Sequence, residues 1–395
     1  MSTYLDWNAT SPRHPSVVRA MAEAEPYAWA NASSVHQAGR AARKIQENTR
    51  EQLARVLHRS PRDVVFTSGG TEANHLALHG AKFLIISALE HPSIVAYASW
   101  LEERGTKVRF AEVDAAGRVV ASSIEAHLAQ ELGTPGPETD RSQGGFNNSN
   151  TPLVAVMGVN HETGVIQPLA EVSAIARRYG ARLHVDAVQW LGKGDPEHLD
   201  VADSIAITAH KFRGPKGIGA LAFDCGWTPL PTGRGGAQER GLRPGTVDAV
   251  ALAGLGAALQ RVQECRTGYE RAAQLGRRLA QHLAQWSRGA LHIHGADAPR
   301  LAHVINFRTE GWKGDELVAA LDLEGICVSS GSACSAGTAE PSPVIEAMLG
   351  RAAATGAVRI SLGEETTGTD IAHLLRGLER LGVLSPAEFA ANAAR

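Results

Sequence analysis

Short runs of β-branched and apolar residues alternate with longer stretches that carry apolar residues three and four positions apart. The short runs predict buried strands, and the longer stretches predict amphipathic helices. The helical spacing is clear at 168–179, where Leu169, Val172 and Ile175 share one face. The runs that predict strands are 64–67, 83–87, 108–113, 153–159, 182–186, 204–208 and 219–223. This alternation favours an α/β fold with a mainly parallel central sheet and flanking helices.

Two parts of the chain depart from this alternation. Residues 133–152 are rich in Gly, Pro, Ser and Asn, a composition that predicts a surface insertion. A long helical stretch at 247–286 is followed by further strand-like and helix-like pieces, and we expect a smaller α+β domain to begin within it. The predicted division is a large domain at 12–255 and a small domain made of 1–11 and 256–395. A chain of 395 residues suits two domains.

The composition narrows the possible partners. The chain carries 39 Lys and Arg against 41 Asp and Glu, so its net charge of −2 gives no electrostatic footprint for nucleic acid or an anionic membrane. No apolar run approaches the roughly 20 residues that span a bilayer, and the first residues lack the pattern of a signal peptide. The 4 cysteines are too few for a disulfide framework, and none forms a metal-binding Cys-x-x-Cys pair. We therefore expect a cytoplasmic protein with a small-molecule partner and no metal site.

Two predicted strands end next to residues that could take part in catalysis. Lys211 follows strand 204–208, at the edge where α/β sheets bind their ligands. Burial lowers the pKa of a lysine amine, which can then bond to an aldehyde and carry a proton. Asp186 ends strand 182–186, and a carboxylate keeps the pyridine nitrogen of pyridoxal phosphate protonated. The alternative for Lys211 is an ordinary surface lysine at a strand end. The alternative for Asp186 is the N-cap of the following turn.

A Gly-rich turn joins strand 64–67 to a predicted helix, with Gly69, Gly70 and Thr71 at the junction. Free backbone N–H groups and the positive end of the helix dipole can hold a phosphate there. By itself such a turn is weak evidence, because many strand-to-helix connections use one. Its combination with the lysine and the carboxylate favours a pyridoxal-phosphate site.

These three segments resemble the fold-type I pyridoxal-phosphate enzymes of the class V aminotransferase group and, within it, the cysteine desulfurases. Further segments that fit this family lie at 4–10, 31–36, 90–93, 235–240 and 243–246. The segment 329–334 ends in Cys334 and resembles the catalytic loop of the housekeeping, iron-sulfur-supplying desulfurases. Its small residues suit a mobile loop that presents a thiol in more than one place. The cysteines that we expect to be small buried apolar side chains are Cys225, Cys265 and Cys327.

The resemblance implies pyridoxal 5′-phosphate as cofactor, L-cysteine as substrate, a homodimer and a sulfur-acceptor protein. It implies that Cys334, Lys211 and His91 are catalytic, and that Asn31 lies alongside Arg359 to bind the substrate. The residues that it assigns to the cofactor are Gly70, Thr71, His91, His161, Asp186, Gln189, Thr208, His210, Lys211 and, from the second subunit, Thr246. His161 stands where relatives usually carry Asn. Without the resemblance, His91 is an ordinary helix N-terminal residue and Arg359 an exposed ion-pair partner.

The implied reaction converts L-cysteine to L-alanine and leaves the sulfur as a persulfide on Cys334, for delivery to an acceptor in iron-sulfur cluster or thio-cofactor synthesis. One alternative is a pyridoxal-phosphate lyase or aminotransferase for another amino acid, such as a selenocysteine lyase, because fold and cofactor site do not determine the substrate. A second is a noncatalytic sulfur-carrier or scaffold subunit. The joint presence of Lys211, Asp186, His91 and Cys334 argues against this second alternative.

Overall fold

The computed structural model describes residues 2–135, 146–147, 151–287, 289–331 and 341–385, the pair Phe146–Asn147 by its backbone alone. The strands within these residues are β1 (Thr3–Tyr4), β2 (Val64–Thr67), β3 (Phe83–Ser87), β4 (Lys107–Ala111), β5 (Phe146–Asn147), β6 (Leu153–Met157), β7 (Arg182–Asp186), β8 (Ser204–Thr208), β9 (Gly219–Phe223), β10 (Trp227–Thr228), β11 (Leu291–Ile293), β12 (Val304–Thr309), β13 (Ile326–Cys327) and β14 (Val358–Ser361). The helices are α1 (Pro15–Ala28), α2 (Gln37–Val56), α3 (Gly70–Leu78), α4 (Pro92–Glu102), α5 (Ala121–Leu132), α6 (Leu169–Arg178), α7 (Ala249–Leu259), α8 (Val262–Trp286), α9 (Gly314–Leu323), α10 (Pro343–Leu349), α11 (Arg351–Thr355) and α12 (Gly368–Arg380).

A seven-stranded sheet in the order β2-β9-β8-β7-β6-β3-β4 forms the centre of the molecule. Its neighbouring strands pair in parallel, except that β9 runs antiparallel to both β2 and β8. The α/β fold with a mainly parallel sheet is thus confirmed. The predicted strands are all present, although β4 and β6 end two residues earlier than the runs at 108–113 and 153–159 predict.

Both faces of the sheet are buried, which explains why its strands are continuous apolar runs. Along β2, Val64 and Phe66 belong to the apolar core on one face, while Val65 belongs to the core on the other. Helices α3 and α4 cover this second face through residues such as Leu76 and Ile94. Because the strands run mostly in one direction, their carboxyl ends meet along one edge, and this edge carries the site described below.

A second, smaller set of strands lies near the C-terminal part of the chain. Strands β11, β12 and β14 form an antiparallel sheet, and β1 pairs in parallel with β13. A further bridge joins Asp6, which follows β1, to Ser361, the last residue of β14. The first residues of the chain are therefore attached to the C-terminal elements. This pairing supports the predicted division into a large domain at 12–255 and a small domain made of 1–11 and 256–395. The division stays a proposal.

Two expectations from the sequence need correction. The helical stretch at 247–286 is two helices, because α7 ends at Leu259 and α8 begins at Val262. Of the three cysteines expected to be buried, only Cys265 is buried; Cys327 is partly buried, and Cys225 is exposed because it lies in the turn after β9. Most of the insertion predicted at 133–152, and Cys334 itself, lie outside the described residues. Among the described helices, none is long and apolar enough to cross a membrane.

Candidate active site

The carboxyl ends of β7 and β8 lie side by side and contribute the first polar groups of a cavity. Asp186 is the last residue of β7, and Thr208 is the last residue of β8. Lys211 ends the short 3₁₀ turn that follows β8. The N-terminus of α3 closes the same cavity from the neighbouring connection after β2. The sheet order β2-β9-β8-β7 therefore brings Gly70 and Asp186 to one cavity although they are more than 100 positions apart in sequence.

Most of the residues predicted for cofactor, substrate or catalysis line this one cavity. The predicted residues around it are Gly70, Thr71, His91, His161, Asp186, Gln189, Thr208, His210, Lys211 and Arg359. Asn31 and Thr246 instead line a second cleft together with Arg50 and Glu239. The Cys334 assignment falls outside the described residues.

The amine of Lys211 is held by two backbone carbonyl groups. Its Nζ donates to the carbonyl oxygens of Asn8 at 2.6 Å and Ala9 at 2.9 Å. Both residues come from the segment after β1, so the N-terminal part of the chain fixes where the amine points. Asn8 is itself anchored, since its backbone N–H donates to the Ser361 hydroxyl at 3.0 Å.

Asp186 is held at the end of a chain of buried hydrogen bonds. The Asn74 amide Nδ2 donates to Asp186 Oδ2 at 2.8 Å, and the backbone N–H of Val188 donates to Oδ1 at 3.0 Å. Asn74 Oδ1 lies 3.0 Å from His184 Nε2, whose other ring nitrogen lies 2.8 Å from the Ser204 hydroxyl. Burial lowers the pKa of His184 to about 3, so its ring is neutral. A neutral ring facing an amide oxygen must carry its proton on Nε2.

Gln189 lines the cavity, and two neighbouring groups hold its side-chain amide. Its Nε2 donates to the carbonyl oxygen of Asn8 at 2.9 Å, and its Oε1 accepts from the ammonium of Lys193. Lys193 Nζ also donates to Asn8 Oδ1 at 3.2 Å. Burial, together with the nearby charge of Lys211, lowers the pKa of Lys193 to about 7.

Two histidines lie against each other at the side of the cavity. His91 is the N-cap of α4, where its Nδ1 accepts from the backbone N–H of Ser93 at 3.1 Å. His91 thus caps the helix and lines the cavity at the same time. Burial lowers the pKa of its ring. The ring of His161 meets that of His91 edge to face at 5.4 Å. Burial also lowers the pKa of His161, and neither of its ring nitrogens has a hydrogen-bond partner among the described residues.

The N-terminus of α3 is shaped to let a ligand approach the backbone. Gly70 and Thr71 begin the helix, and their N–H groups have no intrahelical partner. A side chain at Gly70 would place a Cβ only 2.6 Å from Val188 Cγ2. His210 lines the same cavity, and burial together with the charge of Lys211 lowers its pKa to about 4. Backbone N–H groups and the helix dipole suit an anion here.

Arg359 is buried, with only 2% of its surface exposed, which excludes the exposed ion pair considered from sequence. Its Nη2 lies 2.7 Å from Asp6 Oδ1, and its Nη1 donates to the carbonyl oxygen of His161 at 3.1 Å. Its Nε has no hydrogen-bond partner among the described residues. A guanidinium that lines a cavity with a donor to spare suits a carboxylate ligand.

The expected pairing of Asn31 with Arg359 is absent from the single chain. The Asn31 side chain instead accepts from the backbone N–H of Ser33 at 2.9 Å and caps its own exposed turn. Thr246 is exposed in the same second cleft. Both placements fit residues that complete a site in another subunit, as the resemblance implies for Thr246.

Pyridoxal phosphate fits the donor set of this cavity. The cavity offers a lysine amine, a buried carboxylate and an anion cradle at the α3 N-terminus. His161, which is buried with two unpaired ring nitrogens, requires a partner that the described protein atoms do not supply. Lys211 would bond to the aldehyde, Asp186 would face the pyridine nitrogen, and Gly70 with Thr71 would face the phosphate.

Several residues that shape the site escaped the sequence reasoning. Asn8, Asn74 and His184 lie within segments that the resemblance already covers, but nothing in a sequence pattern indicates which polar residue orients another. Lys193 follows Gln189 by four positions, and its apolar surroundings gave no reason to assign it a role. The signal that could have found it is a charged residue within a stretch of otherwise buried residues.

Comparison with known proteins identifies the family. Residues 3–134 and 138–374 match the class V aminotransferases. An IscS-like cysteine desulfurase of Mycobacterium tuberculosis is 35% identical over 412 residues, covering 99% of this chain and 98% of that protein. The cysteine desulfurase IscS of Dictyoglomus turgidum is 33% identical, covering 96% and 94% of the two chains.

Solved structures agree with these relatives. A NifS-like protein from Rickettsia africae superposes with a TM-score of 0.84 at 29% identity, covering 97% of this chain and 99% of that chain. SspA in complex with cysteine superposes with a TM-score of 0.75 at 26% identity, covering 93% and 100%. The chain therefore belongs to the class V aminotransferase family and, within it, to the cysteine desulfurases.

Proposed function

We propose that this protein is a pyridoxal-phosphate-dependent cysteine desulfurase that converts L-cysteine to L-alanine and takes the sulfur onto Cys334. The observation that carries the proposal is the meeting of Lys211, Asp186 and Arg359 in one cavity of a chain that belongs to this family. The solved relative in complex with cysteine supports the choice of substrate. Cys334 supports sulfur transfer over the other reactions of the fold.

The cofactor, when bound, supplies an electron sink for the α-carbon of the substrate. Arg359 binds the substrate carboxylate, because its guanidinium lines the cavity and keeps an unpaired Nε. Lys211 accepts the α-proton as a general base. The carbonyl oxygens of Asn8 and Ala9, which accept hydrogen bonds from its Nζ, stabilise the ammonium that results.

Sulfur transfer is a displacement at the substrate sulfur. The Cys334 thiolate forms a new S–S bond, and the C–S bond of the substrate breaks with its electron pair moving to carbon. That carbon then takes a proton and becomes the methyl group of alanine. His91, which lies at the side of the cavity, is the residue that we expect to assist proton transfer. The protein is left with one additional sulfur atom on Cys334.

The working unit and the acceptor belong to the same proposal. A homodimer places Thr246 of each subunit at the site of the other, which accounts for its position in the second cleft. The persulfide passes to an acceptor protein of iron-sulfur cluster or thio-cofactor synthesis, and two relatives named IscS-like or IscS support this choice. We expect the reaction to take place in the cytoplasm.

The experiment measures alanine and sulfide formed from L-cysteine in the presence of a thiol reductant. The native protein should form both, Lys211→Ala should form neither, and Cys334→Ala should bind the cofactor but form almost no alanine. The matched control is Cys225→Ala, which removes an exposed cysteine and should leave the rate unchanged. Equal rates for native protein and Cys334→Ala, or faster turnover of selenocysteine that does not need Cys334, would overturn the proposal.

A further inference from the structure

A buried lysine that contacts two residues of the cavity wall has no part in the proposed reaction. Lys193 is only 5% exposed, and its ammonium lies 5.3 Å from the centre of the Tyr269 ring. A buried lysine costs free energy unless its N–H groups are paired. The pairing that the structure provides is directed at the cavity, through Gln189 and Asn8.

The contacts of Gln189 leave only one favourable orientation of its amide group. Lys193 can only donate from its ammonium, so the amide oxygen Oε1 must face it. At the other end, the carbonyl oxygen of Asn8 can only accept, so the amide nitrogen Nε2 must face that carbonyl. Rotating the amide by half a turn would place two donors together at one end and two acceptors together at the other.

This orientation decides what Gln189 offers to a ligand. Nε2 carries two protons, and one is used by the carbonyl oxygen of Asn8 at 2.9 Å. The second remains for the cavity that Gln189 lines. A neutral amine at Lys193 would still donate, while the Asn8 carbonyl still could only accept, so the preference does not require the charge.

We propose that Lys193 is a positioning residue that holds the Gln189 amide with its N–H toward the cavity, so that Gln189 donates a hydrogen bond to an oxygen atom of the bound cofactor. The inference rests on the proposed function, because it needs pyridoxal phosphate in this cavity. It extends that function to a residue that touches neither substrate nor cofactor. The effect of Lys193 must then pass through Gln189.

A double-mutant cycle on the apo protein tests this directly, with free pyridoxal phosphate as the probe. Lys193→Met keeps the length and the buried apolar stem but removes every donor. We expect it to weaken cofactor binding by roughly tenfold, the effect of one hydrogen bond, and to shift the visible absorbance band of the bound cofactor. In a Gln189→Ala background the same change should alter the affinity less than about twofold, because the amide is already gone.

The outcomes separate the possible explanations. If Lys193→Met weakens binding equally in both backgrounds, Lys193 acts through its charge or through the stability of the fold, and the inference is wrong. An unchanged affinity and an unchanged absorbance band in Lys193→Met would also overturn it. A third outcome is that native protein with pyridoxal phosphate shows the same absorbance band as Lys211→Ala. In that case the proposed cofactor site is wrong, independently of the role of Lys193.

Discussion

At the scale of single residues, the site is made of polar side chains that are buried and held by one another. Asp186 is held by Asn74, and Asn74 by a neutral His184. Such groups are expensive to bury unless every donor meets an acceptor, so each side chain restricts the next. Asp186 and Asn74 therefore keep their orientation before any ligand arrives, which favours tight binding.

Glu90, which precedes His91, gives a prediction about pH. It is fully buried, and burial raises its pKa to about 8, so its carboxyl is neutral at pH 7. Its folded-state pKa lies above the unfolded value, so its contribution to stability is complete below about 4.5 and is lost as the pH rises toward 8. Glu90→Gln removes this titration. We expect the difference in unfolding free energy, Glu90→Gln minus native protein, to increase with pH by up to about 1.4 kcal/mol per pH unit across this window.

Chemical denaturation at several pH values between 5 and 8 provides the measurement. Glu102→Gln, which removes an exposed carboxyl at the last residue of α4, is the control. A flat difference for Glu90→Gln would mean that the carboxyl is already ionised in the folded protein.

At the scale of elements, the site depends on where strands end and helices begin. The carboxyl ends of β7 and β8 supply Asp186 and Thr208, and the start of α3 supplies backbone donors. The close approach of the 186–189 turn to the start of α3 leaves no room for a side chain at Gly70. The Gly-rich turn is therefore required by packing as well as by ligand binding.

Gly70→Ala tests this packing. Its Cβ would lie 2.6 Å from Val188 Cγ2, which forces the helix start or the turn to move. We expect affinity for pyridoxal phosphate to fall by about fivefold or more, since an overpacked site typically loses about 1–3 kcal/mol. Gly70→Ala combined with Val188→Ala removes the clash and should restore most of the affinity, with Val188→Ala alone as the reference. If Gly70→Ala and the double variant lose the same affinity, the contact with Val188 is not what excludes a side chain at position 70.

At the scale of the whole molecule, the single chain gathers most of the site but leaves Thr246 in a second cleft. In the proposed homodimer, that cleft lies at the site of the other subunit, where Thr246 completes the cofactor site. The exposed apolar side chains of Trp29 and Val35, which follow α1, are consistent with a surface that another chain covers.

Mixed dimers test this arrangement. Thr246→Ala and Lys211→Ala chains, carrying different tags and expressed together, form a dimer in which one site has neither substitution. If Thr246 acts in the other subunit, we expect Thr246→Ala dimers to be impaired and the mixed dimer to have about half of the native desulfurase activity, while Lys211→Ala dimers have none. If the mixed dimer is no more active than half of a Thr246→Ala dimer, Thr246 acts within its own chain or not at all.

The sequence predicts the sheet well because buried parallel strands are continuous apolar runs, as Ser204–Thr208 illustrates. It predicts Lys211 and Asp186 because a fixed chemical role restricts their residue type and their place at strand ends. It does not predict Lys193 or Asn74, since orienting another side chain depends on contacts between distant segments. The sequence does not indicate the break between α7 and α8, because residues 260–261, a Gln and an Arg, are both good helix formers.

The central claim is that Cys334 receives the sulfur of L-cysteine. The most direct test is the intact mass of the protein after a short incubation with L-cysteine, without reductant, followed by fragmentation to locate the modification. The account predicts the additional mass of one sulfur atom on Cys334, and none in Cys334→Ala or Lys211→Ala. Alanine formation by the native protein with no sulfur on Cys334, or with the sulfur on Cys225, would contradict it.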